Sequence, residues 1–183
     1  MAQVDRRITA AQFRRTVRPV LGLRVSRPWL GYGDVLFLEL GALVWETLVV
    51  PKRGPRRVGK GQATIMVHSD WKAEGTRRFA FGSGSPPGKL QKGTRGLRGM
   101  KITSICLQGP LPELALEFDR HLWIRSFRTY GPPDWVIFLE DSRIFPRARR
   151  WTAYDHSLWV GTSEEGHLTR GICYDPQRPR ITN

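Results

Sequence analysis

Apolar residues recur along this chain with two different spacings, and the switch between them marks its elements. From Thr9 the spacing is helical: Thr9 and Gln12 fit a capping box, and Phe13, Val17 and Leu21 follow at intervals of four. This predicts a short N-terminal helix, disturbed at Pro19. From residue 23 the period drops to two. Runs at 23–27, 35–40, 44–50 and 63–68 are short, rich in β-branched and aromatic residues, and bounded by Pro28, the turn Gly31-Tyr32-Gly33-Asp34 and Pro51. Within 35–40, Leu36, Leu38 and Leu40 share one face while Val35, Phe37 and Glu39 share the other. Both faces are largely apolar, so this strand is expected inside its sheet.

A second set of strands is predicted at 100–107, 113–118, 121–127 and 135–139, separated by a Gly109/Pro110/Pro112 break, an Asp119-Arg120 turn and a Gly131-Pro132-Pro133 break. It echoes the first set. Gly22-Leu23-Arg24-Val25-Ser26 recurs 77 positions on as Gly99-Met100-Lys101-Ile102-Thr103, each substitution keeping its chemical type. At an offset of 78, Leu36, Leu38, Glu39 and Leu40 recur as Leu114, Leu116, Glu117 and Phe118, and Val44-Trp45 recurs as Leu122-Trp123. A nearly fixed offset in a fixed order points to two copies of one β unit. The expected fold is mainly β (α+β): two tandem β-meanders packed as a pseudo-symmetric duplicated sheet or sandwich, with a short N-terminal helix and an irregular C-terminal tail. The divisions expected are a basic helical arm (1–21), a basic first lobe (22–81), a Gly/Ser/Pro-rich basic linker (82–98), a second lobe (99–151) and the tail (152–183), in which 158–161 reads as a strand.

Composition narrows the classes. Of 183 residues, 40% are hydrophobic and seven are Trp, enough to bury a core. No apolar run approaches the ~20 residues of a membrane-spanning helix, and no apolar stretch follows the N-terminal charges as in a secretory signal. Cys106 and Cys173 stand too far apart for a metal-type pair and are too few for a disulfide framework, so the expectation is a cytoplasmic protein with reduced thiols and no membrane partner.

Charge changes the picture most. The net charge is +14, and residues 1–102 hold twenty Lys/Arg against six Asp/Glu whereas 103–183 hold ten of each. A one-sided excess attracts polyanions. Arg far outnumbers Lys and the only Asn is Asn183, a bias that GC-rich coding also produces, so the excess alone does not specify a ligand. Its clustering is more specific. Arg6, Arg7, Arg14, Arg15 and Arg18 crowd the N-terminal arm. Lys52, Arg53, Arg56, Arg57 and Lys60 occupy a stretch with three glycines and no acid, read as a cationic hairpin tip. Lys89, Lys92, Arg95 and Arg98 follow in the linker with Lys101 at its exit, and Arg147, Arg149 and Arg150 join Trp151 in a basic-aromatic segment. These are the candidate phosphate contacts.

Candidate chemistry is sparse. The linker imitates a phosphate-binding loop, but Gly88-Lys89 is followed by Leu90 where Ser or Thr should hold magnesium, and Pro86 and Pro87 remove two N–H donors. His68, His121, His156 and His167 are scattered, without ligand spacing; His68 at a strand end is more often structural than catalytic. Glu39 and Glu117 hold equivalent places in the two copies, which would bring two carboxylates near a pseudo-twofold axis, or simply mark the polar member of a repeated strand. Arg125 between Trp123 and Phe127 is either a stacking platform for bases or the packed outer face of a sheet. No catalytic residues, metal or cofactor are assigned. The reading is a non-catalytic nucleic-acid-binding or ribonucleoprotein accessory subunit, meeting DNA or RNA phosphates through its basic first lobe and another protein subunit through its second. The alternative is a bacterial interaction module of immunity or adaptor type, whose basic face binds an acidic protein.

Overall fold

The computed structural model describes residues 6–50, 54–68, 70–76, 79–108, 113–127, 135–139, 142–149 and 153–162. The expected helix is present as α1 (Ala10–Val17), with both hydrogen bonds of its capping box: the Gln12 N–H donates to Thr9 Oγ1 at 3.2 Å and the Thr9 N–H to Gln12 Oε1 at 2.8 Å. Phe13 and Val17 are buried as the spacing predicts, but Leu21 is 42% exposed. Pro19 cannot donate to a helical ladder, so the chain tightens into a 3-10 turn at Arg18–Val20 and Val20 becomes the third buried residue.

The rest is mainly β, in two antiparallel sheets. The strands are β1 (Arg6–Ile8), β2 (Val25–Leu30), β3 (Leu36–Val50), β4 (Gly54–Val67), β5 (Trp71–Glu74), β6 (Phe79–Gly82), β7 (Ile102–Gln108), β8 (Glu113–Phe118), β9 (Leu122–Ser126), β10 (Trp135–Phe138), β11 (Ser142–Arg149) and β12 (Ala153–Thr162). A seven-stranded sheet has the order β1-β12-β11-β10-β4-β3-β2, and a five-stranded sheet the order β6-β5-β9-β8-β7. The two meanders are therefore not self-contained sheets. β5 leaves the first meander to pair with β9, and β10 leaves the second to pair with β4. Trp71 and Trp135, which begin these two exchanged strands, are both wholly buried. One apolar core, drawing on both sheets and on α1, fills the space between them.

The sheets also meet along a seam. Segments 22–25 and 99–102 pair antiparallel about an Arg24/Lys101 bridge, with the Val25 N–H donating to the Met100 carbonyl at 2.9 Å and the Ile102 N–H to the Leu23 carbonyl at 3.0 Å. The two stretches whose sequences echo each other at an offset of 77 thus lie side by side. The Val44-Trp45 echo fares differently. Trp123 pairs with Glu117 and Glu74 inside a sheet, whereas Trp45 lies out on the β3–β4 hairpin opposite Gly59, so these tryptophans occupy unlike places.

Four expectations of local structure need correction. Residues 35–40 and 44–50 form one strand, because a bulge between Leu40 and Leu43, with Gly41 at φ +75°, lets the ladder continue. The basic stretch 52–61 is mostly strand β4 rather than a loop; within it, 52 and 53 lie outside the described residues. Part of the supposed linker is a second helix, α2 (Pro87–Gly96), packed against β2 and β6. Its glycines and prolines disfavour a helix locally, but Pro87 sits at a tolerated first-turn position and Leu90, Thr94 and Leu97 are buried at helical spacing, so tertiary packing decides. Finally, the tail is not irregular throughout: β12 lies between β11 and β1.

Gly93 of α2 lies so close to Phe81 that a Cβ there would collide with the ring, whereas a Cβ at Gly88, in the first turn, meets nothing within 4 Å. Gly93→Ala is expected to lower the unfolding free energy by about 2 kcal/mol through overpacking. Gly88→Ala should leave it unchanged or raise it by up to ~1 kcal/mol through helix propensity. Urea unfolding followed by tryptophan fluorescence measures both.

Candidate nucleic-acid interface

The β3–β4 hairpin is the feature that places charge. β2 stops pairing with β3 at Val25/Leu40, and β10 stops pairing with β4 at Phe138/Thr64. Beyond those points β3 and β4 continue alone, paired from Leu43/Gly61 to Val50/Gly54. Eight residues in each strand at about 3.4 Å apiece make a ribbon roughly 25 Å long. It has no lateral neighbour among the described residues. Two-stranded ribbons are marginal in water, so its root has to be held.

Glu39 holds it. This carboxylate is buried on the outer face of β3 and accepts three hydrogen bonds: from Trp29 Nε1 at 3.1 Å, from the Gly61 N–H at 3.0 Å and from the Thr64 hydroxyl at 2.6 Å. Gly61 is the first residue of the ribbon on the β4 side, so Glu39 clamps the point where the sheet becomes an arm. Arg27 adds a second tie, its Nη1 donating to the Gly59 carbonyl at 3.1 Å. The Ser26 hydroxyl donates to the Gly41 carbonyl at the bulge itself. Trp29 lies stacked on Phe37 at 3.8 Å and covers this face of the sheet. Glu39 is thereby a structural carboxylate. Among the described residues no group of three His, Cys, Asp or Glu could hold a metal ion.

Strand directions show which basic residues share an end of the molecule. β3 runs from the Asp34 turn towards the arm, so the start of β2 and the seam lie at the arm end; the Gly41 N–H donates to the Arg24 carbonyl at 2.9 Å. Both helices run into this seam, α1 through Arg18 and α2 through Arg95 and Arg98. Arg18, Arg95 and Arg98 thus lie on the approaches to the seam at the arm's root, and Lys60, Arg57 and Arg56 follow outward along the ribbon on the same end of the molecule. This end includes Lys101 from the linker's exit and adds two cations the sequence reading did not single out, Arg24 and Arg27. Arg24 and Lys101 occupy matching places in the echoed pentapeptides, a signal the sequence does carry; nothing local marks Arg27.

The other predicted residues are placed apart. Lys89 sits at the far end of α2, its Nζ 5.0 Å from the Phe79 ring centroid, and Lys92 lies mid-helix. Arg14 and Arg15 are exposed on α1. β11 runs parallel to β4, both being antiparallel to β10, so Arg147 and Arg149 approach the end opposite the arm. Arg6 and Arg7 lie on β1 at the sheet's edge. Lys52, Arg53 and Arg150 fall outside the described residues.

Most of the arm-end cations have no carboxylate in ion-pair contact among the described residues. Among the described residues, Arg24 is the only member in an ion pair, a loose 3.8 Å contact with Asp119. The opposite holds on the outer face of the five-stranded sheet. There Lys72 and Arg125 flank Glu74 at 2.9 and 3.5 Å, Arg125 donates to Gln108 Oε1 at 3.1 Å, and the Arg125 guanidinium carbon lies 5.2 Å from the Trp123 ring centroid. Arg125 is occupied by its own neighbours, which favours the packed outer face over a stacking platform.

No helix among the described residues is long and apolar enough to cross a membrane. No protein-family model matches the chain, and neither a curated protein nor a solved structure shows significant similarity to it.

Glu39→Ala strips three donors of their acceptor, one buried and two half-buried, and is expected to lower the unfolding free energy by about 2–4 kcal/mol. Glu39→Gln, which keeps a carbonyl oxygen at the site, should cost clearly less. Chemical denaturation gives the ranking, and amide exchange at Gly61 reports whether the arm root loosens first.

Proposed function

We propose that this protein is a non-catalytic nucleic-acid-binding subunit, of the ribonucleoprotein-accessory kind, which grips phosphates with the arm end of its first meander and docks on another protein through its second. The observation that carries this reading is the gathering of Arg18, Arg56, Arg57, Lys60, Arg95, Arg98 and Lys101 at one end, with no carboxylate in ion-pair contact with any of them among the described residues. Cations that are not neutralised internally create a local field for an external polyanion. The contacts would be to phosphate, hence salt-sensitive and weakly dependent on base sequence.

We read the architecture as an internal duplication. In chain order β1-α1-β2-β3-β4-β5 is followed by β6-α2-β7-β8-β9-β10. Phe13, Val17 and Val20 are buried, and so are Leu90, Thr94 and Leu97, each 77 positions on. The Arg24/Lys101 bridge has the same offset. On this reading the β3–β4 arm is an elaboration of the first copy, whose counterpart in the second is the short Asp119–His121 turn. Arg15/Lys92 and Arg18/Arg95 would be basic positions present in both copies.

An acidic protein partner could use the same surface, and the exposed apolar residues Val44 and Val49 on the arm favour that second reading. Purification with and without nuclease separates the two. Nuclease-treated protein should bind heparin, DNA and RNA at low salt, with log affinity falling linearly against log salt. Arg56→Ala/Arg57→Ala/Lys60→Ala should make that slope shallower by about 3, close to one unit per lost phosphate contact. Lys72→Ala, at a cation already paired to Glu74, should leave it unchanged. Absence of nucleic-acid binding at low salt, with a single acidic protein co-eluting after nuclease treatment, would replace the first reading by the second.

A further inference from the structure

The arm has two faces of different chemistry. On one, Trp45, Thr47 and Val49 stand opposite Gly59, Arg57 and Pro55. On the other, Val44 and Glu46 stand opposite Lys60 and Val58, so the only described acid of the arm is on the face away from Trp45. The cross-strand partner of Trp45 has no side chain. A Cβ added at Gly59 would lie 3.3–3.4 Å from three atoms of the indole ring, so the ring lies flat across the ribbon where that side chain would stand. Gly59 is buried beneath it while Trp45 remains 51% exposed, so about half of the residue's surface is open to solvent. The Arg57 guanidinium carbon is 5.4 Å from the ring centroid. Val49, further out on the same face, is 79% exposed.

We infer that the Trp45 face of the arm is a binding platform for single-stranded nucleic acid, with an unpaired base stacked on the indole and its flanking phosphate taken by Arg57. The inference rests on the nucleic-acid reading above and adds the strand form of the ligand. A flat aromatic on a β-ribbon offers a π surface that any base can use, and a neighbouring cation supplies the phosphate contact. A duplex keeps its bases stacked on one another and presents only phosphates, so it would use the cations and leave the indole idle. Charge complementarity fits a nucleic acid, since this face carries Arg57, Trp45, Thr47, Val49 and Pro55 and no described acid, and the half-exposed indole is what favours a single strand over a duplex. The stack needs no base-specific hydrogen bond, so DNA and RNA single strands would both bind.

The test uses the nuclease-treated full chain with fluorescent single strands of about 20 nucleotides, oligothymidylate and oligouridylate, and a mixed-sequence duplex of equal length. Trp45→Ala is expected to weaken single-strand binding about 5- to 100-fold, the range for losing one base stack, while duplex affinity changes by less than about twofold. Trp45→Phe should recover most of the loss. The arm triple variant should weaken single strand and duplex alike. Far-ultraviolet circular dichroism should be unchanged in all three variants, since the substituted side chains lie outside the core. Equal loss on single strand and duplex, or no loss on either, with the triple variant still weakening both, would overturn the stacking inference and leave the phosphate reading standing. Failure of the parent protein to bind any of the three probes at low salt would overturn both.

Discussion

Everything else in this structure depends on the exchange of one strand between the two meanders. β5 is hydrogen-bonded to β9 and β10 to β4, and through these two pairings each sheet joins strands from both halves of the chain. The exchanged strands begin with Trp71 and Trp135, and each of these wholly buried indoles packs edge-on against a ring from elsewhere in the chain, Phe81 and Phe13 respectively. Burial of side chains this large contributes a few kcal/mol each. The Phe13–Trp135 contact joins the two ends of the chain, and the Trp71 strand is held in place by its pairing with β9. The two halves are therefore one folding unit with one core, and the seam around Arg24 and Lys101 joins what the exchange has already brought together.

The arm follows from the same pairing pattern. Because β2 and β10 both stop short, the β3–β4 ribbon leaves the sheet with neither edge paired to another strand among the described residues. A free ribbon holds its shape poorly, which explains why a buried carboxylate stands at its base: Glu39, on β3, satisfies one donor from β2 and two from β4 and ties the three strands together at the root. Past the root the stabilising contacts thin out and apolar and cationic side chains point into water. That is a costly surface for a protein to maintain alone, and it is the reason for reading the arm as a contact element.

Electrostatics separates the two sheets in the same sense. On the five-stranded sheet, basic residues are answered by carboxylates, amides and aromatic rings from adjacent strands. At the arm end, the one described carboxylate in ion-pair contact with a cation is Asp119. Like charges brought together without counter-charges destabilise the compact state, and binding of a polyanion relieves that repulsion.

The sequence by itself determined what depends on near neighbours. It was sufficient for the capped start of α1, the alternation that makes β3 an interior strand, the short Asp119–Arg120 turn and the lopsided charge, because capping, pleat period and turn chemistry act over a few residues. Only the tertiary structure decided that a Gly/Pro-rich stretch becomes α2, that two predicted strands are one, that Glu39 is a clamp, and that Arg24, Arg27 and Lys101 join Arg56, Arg57 and Lys60 at one end while Arg147 and Arg149 lie towards the other. Those outcomes turn on which apolar faces find each other across tens of residues. A strand's own pattern states that it must be covered and does not state by what.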